Sequence, residues 1–334
     1  MVGERCADDG SFEGGRRQER EGRWLPYRDA NADASVRLFL FHWGGSSASA
    51  YAQWERLAFA SSRDVETCAV QMPGREGFDD LGLTGDGVTL AALAEALVSD
   101  LGHLFGPDEP KPVFFGHGTG SWFAFEVARL LESRSVVVDD DNSDESAGDR
   151  LLPPVALFVS CFPAPDIPVE DRPWPALSGL ASEADLRRHL VQVWGVPIEA
   201  LRPPARKPFQ EALQRDLGLL DAYLCVPPGS SKEAGSSPPS SQEVGGGKGT
   251  SVGVTKLKCP ISLFVSREDP FVGPMTGSPV LMEAWGRFTQ VGKMSVDIFY
   301  GDHYYLCDRK MGNDVGRVLL EKVQKIADLV SFEF

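Results

Sequence analysis

The chain has 334 residues, 42% of them hydrophobic and 24% charged, with 33 Lys and Arg against 48 Asp and Glu for a formal charge of −15. That apolar content excludes a wholly disordered chain and supplies a large core. The acidity excludes a protein that grips nucleic-acid phosphates with clustered Lys and Arg; part of it is local, in Asp139, Asp140, Asp141, Asp144, Glu145 and Asp149.

Residues 1–33 are polar, rich in Gly and Arg and without periodicity, which predicts a disordered N-terminal arm with no signal-peptide core. SVRLFLF (35–41) is a short apolar run that stops at HWGGSS, a buried strand entering a Gly/Ser turn. Tyr51 to Ala60 follows as a helix, then the strand VETCAVQ (65–71), ended by MPGRE. TLAALAEALVSDLGHLF (89–105) places apolar residues at helical spacing. PVFFG (112–116) is a strand, HGTG a turn, and SWFAFEVARLLES (121–133) a strong helix. PVALFVS (154–160), PISLFVS (260–266) and VDIFY (296–300) are near-continuous apolar runs, as in strands buried on both faces of a parallel sheet. GRVLLEKVQKIADLVSF (316–332) closes the chain as an amphipathic helix.

Strands alternating with helices predict an α/β fold with a mostly parallel central sheet flanked by helices, in a single domain over 34–334. Two stretches interrupt it: an acidic loop at 139–150 and a Gly/Ser/Pro low-complexity insertion at 226–254. Residues about 170–225 read as a helical lid over the strand carboxyl ends, with a basic cluster at Arg187, Arg188, Arg202, Arg206 and Lys207. The six cysteines are scattered, with no CxxC pair, and read as reduced thiols that bind no metal. No apolar run is long enough to span a bilayer, so the expectation is a cytoplasmic protein without a membrane span.

The chemistry centres on Gly116-His117-Gly118-Thr119-Gly120, between a strand and a helix. That is the setting of a nucleophile elbow, G-x-S-x-G, where flanking glycines let strand and helix pack closely around a strained residue. Here the middle residue is Gly118. An acid and a base follow in hydrolase order: Asp269 in SREDPFV after one late strand, and His303 in YGDHYYL after the next. The acid would hold the imidazole tautomer and the imidazole would move the proton. Glu268 is the fallback acid, and Asp302 is expected in solvent. His117 is assigned to packing and Cys161 to burial beside the site.

With these residues in place, the chain resembles the type II thioesterases, the stand-alone editing thioesterases of polyketide, nonribosomal peptide and fatty acid synthesis. The matching pieces are RLFLFHWGGSSASAYAQW (37–54), AVQMPGRE (69–76), FFGHGTGSWFAFEVARLL (114–131), LFVSCFPAP (157–165), RDLGLLDAY (215–223), CPISLFVSREDPFV (259–272), the Trp285 helix and YGDHYYL (300–306). The resemblance implies an α/β-hydrolase fold with a helical lid, no cofactor, and a monomer. It implies hydrolysis of acyl thioesters from the phosphopantetheine arm of an acyl carrier protein. By position, Gly118 replaces the family serine, while Asp269 and His303 match the acid and base. The oxyanion hole falls to the backbone N–H of Thr119 and of a residue in His42-Trp43-Gly44-Gly45, assigned to Gly44.

The glycine leaves three readings open. The protein binds acyl chains or acyl carrier protein without turnover; or His303 activates a water and hydrolysis is slow; or Ser121 or Thr119 substitutes as nucleophile.

Overall fold

The computed structural model describes residues 9–78, 82–83, 87–136, 150–176, 183–202, 206–225, 228 and 256–332. Among them, the six apolar runs become β1 (Val36–Phe41), β2 (Val65–Val70), β3 (Lys111–His117), β4 (Ala156–Ser160), β5 (Ile261–Ser266) and β6 (Ser295–Phe299). They form one sheet in the order β2-β1-β3-β4-β5-β6, with every neighbouring pair parallel. Every residue of β1, β2 and β4 is buried, which is why these segments carry apolar residues on both faces. β6 departs from that expectation. Val296 and Ile298 on one of its faces are 53% and 55% exposed, whereas β2, the other edge strand, is buried throughout.

The helices are α1 (Asp9–Trp24), α2 (Ala52–Ser61), α3 (Leu90–Leu101), α4 (Thr119–Val136), α5 (Glu183–Gln192), α6 (Arg206–Ala222), α7 (Pro279–Glu283) and α8 (Arg309–Phe332). α3 and α4 pack on one face of the sheet and α2 and α8 on the other. α3 begins where the Thr89 hydroxyl accepts the Ala92 N–H at 3.1 Å. α8 starts seven residues before the expected amphipathic stretch and buries Val315, Leu319, Leu320, Val323 and Ala327 along one stripe. α4 is the enclosed one, with Trp122, Phe123, Phe125, Val127 and Leu131 all buried.

The described part of the N-terminal segment is not the loose arm expected over 1–33. Residues 9–24 form α1, held by charge pairs and one aromatic anchor. Arg23 pairs with Glu19 one turn back, and Glu21 meets Arg28 and His103. Trp24 is fully buried; its indole N–H donates to Asp100 at 3.0 Å and its carbonyl accepts the Gln71 N–H at 2.7 Å. Four glycines (Gly10, Gly14, Gly15 and Gly22) and a scarcity of apolar residues made composition read it as coil. The expected loops at 139–149 and 229–254 lie outside the described residues.

α5 and α6 leave the strand–helix alternation between β4 and β5, as expected for residues 170–225. Arg172 closes the end of α6: its guanidinium donates to the Leu220 carbonyl and, at 2.6 Å, to that of Tyr223. It lies 5.2 Å from the Trp122 ring, tying the excursion to α4.

Candidate active site

All the candidate residues sit at the carboxyl ends of strands, where open α/β sheets place their ligands. The β3–α4 turn is tight. A β-carbon on Gly116 would lie 2.5 Å from the Gly120 carbonyl oxygen, and one on Gly120 would lie 2.4 Å from the carbonyl oxygens of Phe41 and His42. Between them Gly118 has φ of +54°, the left-handed region where glycine costs least. Its N–H donates to the Ser160 carbonyl at 2.9 Å.

Asp269 and His303 come together as the sequence order anticipated. The His303 Nδ1 and the Asp269 Oδ2 are 2.6 Å apart, both residues at or below 2% exposure. The other carboxylate oxygen accepts the N–H groups of Phe271 and Val272, each at 2.9 Å. These bonds assign the proton to Nδ1 and leave Nε2 as the basic nitrogen. Nε2 faces Gly118: a β-carbon there would lie 3.2 Å from it and 3.3 Å from the Trp43 Cβ. Gly44 and Thr119 are also adjacent, with a β-carbon on Gly44 falling 3.3 Å from Thr119 Cγ2. The Gly45 N–H is committed elsewhere, to Asp216 at 2.8 Å.

A second, neutral imidazole supports the first. His117 Nε2 donates to the His303 carbonyl at 2.9 Å, and its Nδ1 accepts the Ser160 hydroxyl at 2.8 Å. Ser160 in turn accepts the Tyr305 hydroxyl at 2.7 Å. Burial and the neighbouring His303 hold the His117 pKa well below the ordinary imidazole value, so it keeps one proton and this chain keeps its direction.

Comparison with known proteins bears on the fold that carries this arrangement. The sequence profile of the thioesterase domain family matches residues 36–140, which span β1, the His42–Gly45 loop and the Gly116–Gly120 elbow. The chain is 24% identical to the gramicidin S biosynthesis protein GrsT of Aneurinibacillus migulanus, over 86% of this chain and 90% of GrsT. Among solved structures it is similar to RedJ, a thioesterase of the prodiginine pathway in Streptomyces coelicolor, with a TM-score of 0.61 and 23% identity, covering 87% of this chain and 92% of RedJ. It is also similar to BorB, the type II thioesterase of the borrelidin biosynthetic cluster, with a TM-score of 0.57 and 23% identity, covering 90% of this chain and 95% of BorB. At these identities the structural likeness speaks to fold, and that fold is the α/β-hydrolase.

The remaining residues singled out in this chain separate cleanly. Ser121 is fully buried and its hydroxyl donates to the Gly116 carbonyl at 2.8 Å, away from the imidazole. Glu268 and Asp302 are exposed, and Asp302 accepts the Tyr304 N–H at 2.8 Å. Cys161 is buried with its sulfur accepting the Ser266 N–H at 3.1 Å; burial and the nearby Asp269 charge push its thiol pKa well up, against a thiolate. In the basic cluster Arg188 pairs with Asp185 and Lys207 with Glu211, so the patch is partly neutralised. Among the described residues no group of His, Cys, Asp and Glu is arranged to hold a metal, and no helix is long and apolar enough to cross a membrane.

Three features of the site were not anticipated. Trp194, from the turn after α5, meets His303 edge to face with ring centroids 6.3 Å apart, and Phe271 does so at 5.3 Å. His117 has the supporting contacts described above. Asp216 on α6 reaches the His42–Gly45 loop. Only the last left a sequence signal, a carboxylate in line with Leu213, Leu217 and Leu220 on the apolar stripe of its helix.

Proposed function

We propose that this protein hydrolyses acyl thioesters carried on the phosphopantetheine arm of an acyl carrier protein, slowly, with water attacking in place of a serine hydroxyl. Gly118, Asp269 and His303 form the catalytic group. Residues about 170–225 act as its lid, in a single domain over 34–334. The single observation that carries this is the placement of the Asp269-held imidazole with Nε2 3.2 Å from the β-carbon position of Gly118.

In this mechanism the thioester carbonyl oxygen rests on the N–H groups of Thr119 and Gly44. His303 Nε2 takes a proton from a water occupying the space a serine side chain would fill, and the hydroxide attacks the carbonyl carbon. The tetrahedral oxyanion is stabilised by the two N–H groups. The C–S bond then breaks, and the imidazolium returns its proton to the departing thiolate. The products are a carboxylic acid and the free pantetheine thiol. Asp269 keeps the imidazole in the required tautomer and balances the imidazolium charge. Serine hydrolases stripped of triad members retain about 10³–10⁴-fold acceleration over water from binding and the oxyanion hole. The expected acceleration over the uncatalysed reaction is of that order.

The test is release of free thiol from a panel of acyl carrier protein thioesters. Residual hydrolysis that disappears in His303→Ala supports the proposal. Hydrolysis absent from the wild type, or unchanged in His303→Ala, overturns it and leaves a protein that binds acyl chains or their carrier without turnover.

A further inference from the structure

The Asp216 carboxylate is buried on α6, and three donors converge on it. Its Oδ2 accepts the Gly45 N–H at 2.8 Å and Arg75 Nη1 at 3.1 Å, and its Oδ1 accepts Arg75 Nη2 at 2.6 Å. The same Arg75 donates to the Ser46 carbonyl at 2.7 Å, and Arg215, next to Asp216, donates to the Gly74 carbonyl at 2.9 Å. The Arg75 and Asp216 side chains are 8% and 2% exposed. The helix also presses on the glycine pair: a β-carbon on Gly44 would lie 2.9 Å from Leu213 Cδ1, and one on Gly45 would lie 2.7 Å from Phe209 Cε2. A buried ion pair is often no more stabilising than apolar residues of the same volume. Stability alone is therefore a weak reason for a carboxylate at this position.

We infer that Asp216 is a positioning residue. Through the Gly45 N–H it sets the loop in which Gly44 stands beside Thr119, and through Arg75 it fastens α6 to that loop. Closure of the lid and assembly of the oxyanion site are then one event. The catalytic part of this inference rests on the proposed hydrolysis; the tie between α6 and the loop stands on the contacts alone.

Hydrogen exchange read by mass spectrometry on the full chain tests the tie. Asp216→Leu, which keeps volume and removes every acceptor, is expected to raise exchange in residues 42–47 and 206–222 together, by about tenfold or more, with β3 to β5 unchanged. Asp216→Asn keeps one oxygen for the Gly45 N–H and is expected to restore protection of 42–47. In a Gly118→Ser background, Asp216→Leu is expected to lower kcat about ten- to a hundredfold with KM held within about twofold, and Asp216→Asn to return most of it. Faster exchange confined to α6, or in neither segment, overturns the inference, as does a change in KM alone. If Gly118→Ser is itself inactive, the hydrolysis proposal fails and the exchange result still decides the tie. If Asp216→Leu does not fold, Arg75→Lys, which keeps the charge and loses the two-pronged contact, is read the same way: a joint rise supports the tie and an isolated rise overturns it.

Discussion

His303 stands between two groups it serves differently: its Nδ1 is 2.6 Å from the Asp269 carboxylate, and its Nε2 is 3.2 Å from the point where Gly118 would carry a β-carbon. A serine at that point would bring its hydroxyl within reach of the base. Gly118→Ser is therefore expected to raise thioesterase activity by at least about tenfold, since removing a nucleophile from a complete triad costs several orders of magnitude. Steady-state hydrolysis of acyl carrier thioesters measures it. An unchanged rate in a folded variant would count against the assignment of the pair.

The same substitution has a structural cost. A non-glycine residue at φ of +54°, with its β-carbon tight against the imidazole and Trp43, is expected to lose about 1–2 kcal/mol of stability. Denaturant unfolding of Gly118→Ser and Gly118→Ala checks it, and both should move in the same direction.

Asp269 accepts two backbone N–H groups as well as the imidazole, so Asp269→Asn retains an oxygen for Phe271 and Val272 and disturbs the turn little. What it loses is the imidazole tautomer. In the Gly118→Ser background the expected fall in kcat is on the order of 10⁴, with unfolding little changed.

The core and the catalytic frame were readable in the sequence for a physical reason. β1 to β5 are buried on both faces and show as unbroken apolar runs, and the elbow's tight turn demands glycine at 116 and 120 whatever else happens there. β6 reads the same way but leaves one face exposed, because a run of apolar residues does not reveal whether both faces of its strand are covered. α1 was missed because its four glycines and polar composition argue for coil. Trp194 and Phe271 were missed because their meeting with His303 joins distant parts of the chain across the excursion between β4 and β5.

Trp24 tests the revised view of the N-terminal segment. It is fully buried against Phe78, with ring centroids 5.1 Å apart, and bonded to Asp100. Trp24→Ala is expected to cost about 3–5 kcal/mol in denaturant unfolding. A loss below about 0.5 kcal/mol, the range of ordinary surface changes, would return this segment to a passive tail.

Two buried imidazoles give stability a slope at mildly acidic pH. Burial and Arg75 lower the His42 pKa to about 4, and burial and His303 lower that of His117 well below the ordinary value. Both bind protons more readily unfolded than folded, so their contribution is complete above about pH 6.5 and is lost as pH falls. Each adds a slope of roughly 1.4 kcal/mol per pH unit within its window, which for His42 runs from about 6.5 down to about 4. Unfolding free energy measured between pH 7 and 5 should show this, and His117→Gln should flatten it.

The indole of Trp194 stands edge to face beside an imidazole that is 2% exposed, so the ring is walled in on most sides. If that indole must swing aside before an acyl arm enters, capture waits on a minority conformer. Observed binding rates should then level off at high carrier concentration, and equilibrium affinity should fall short of the intrinsic value by the fraction of molecules ajar at any instant. Shaving the indole to a smaller apolar group would speed capture while giving up the dry surroundings that keep the imidazole's proton traffic selective.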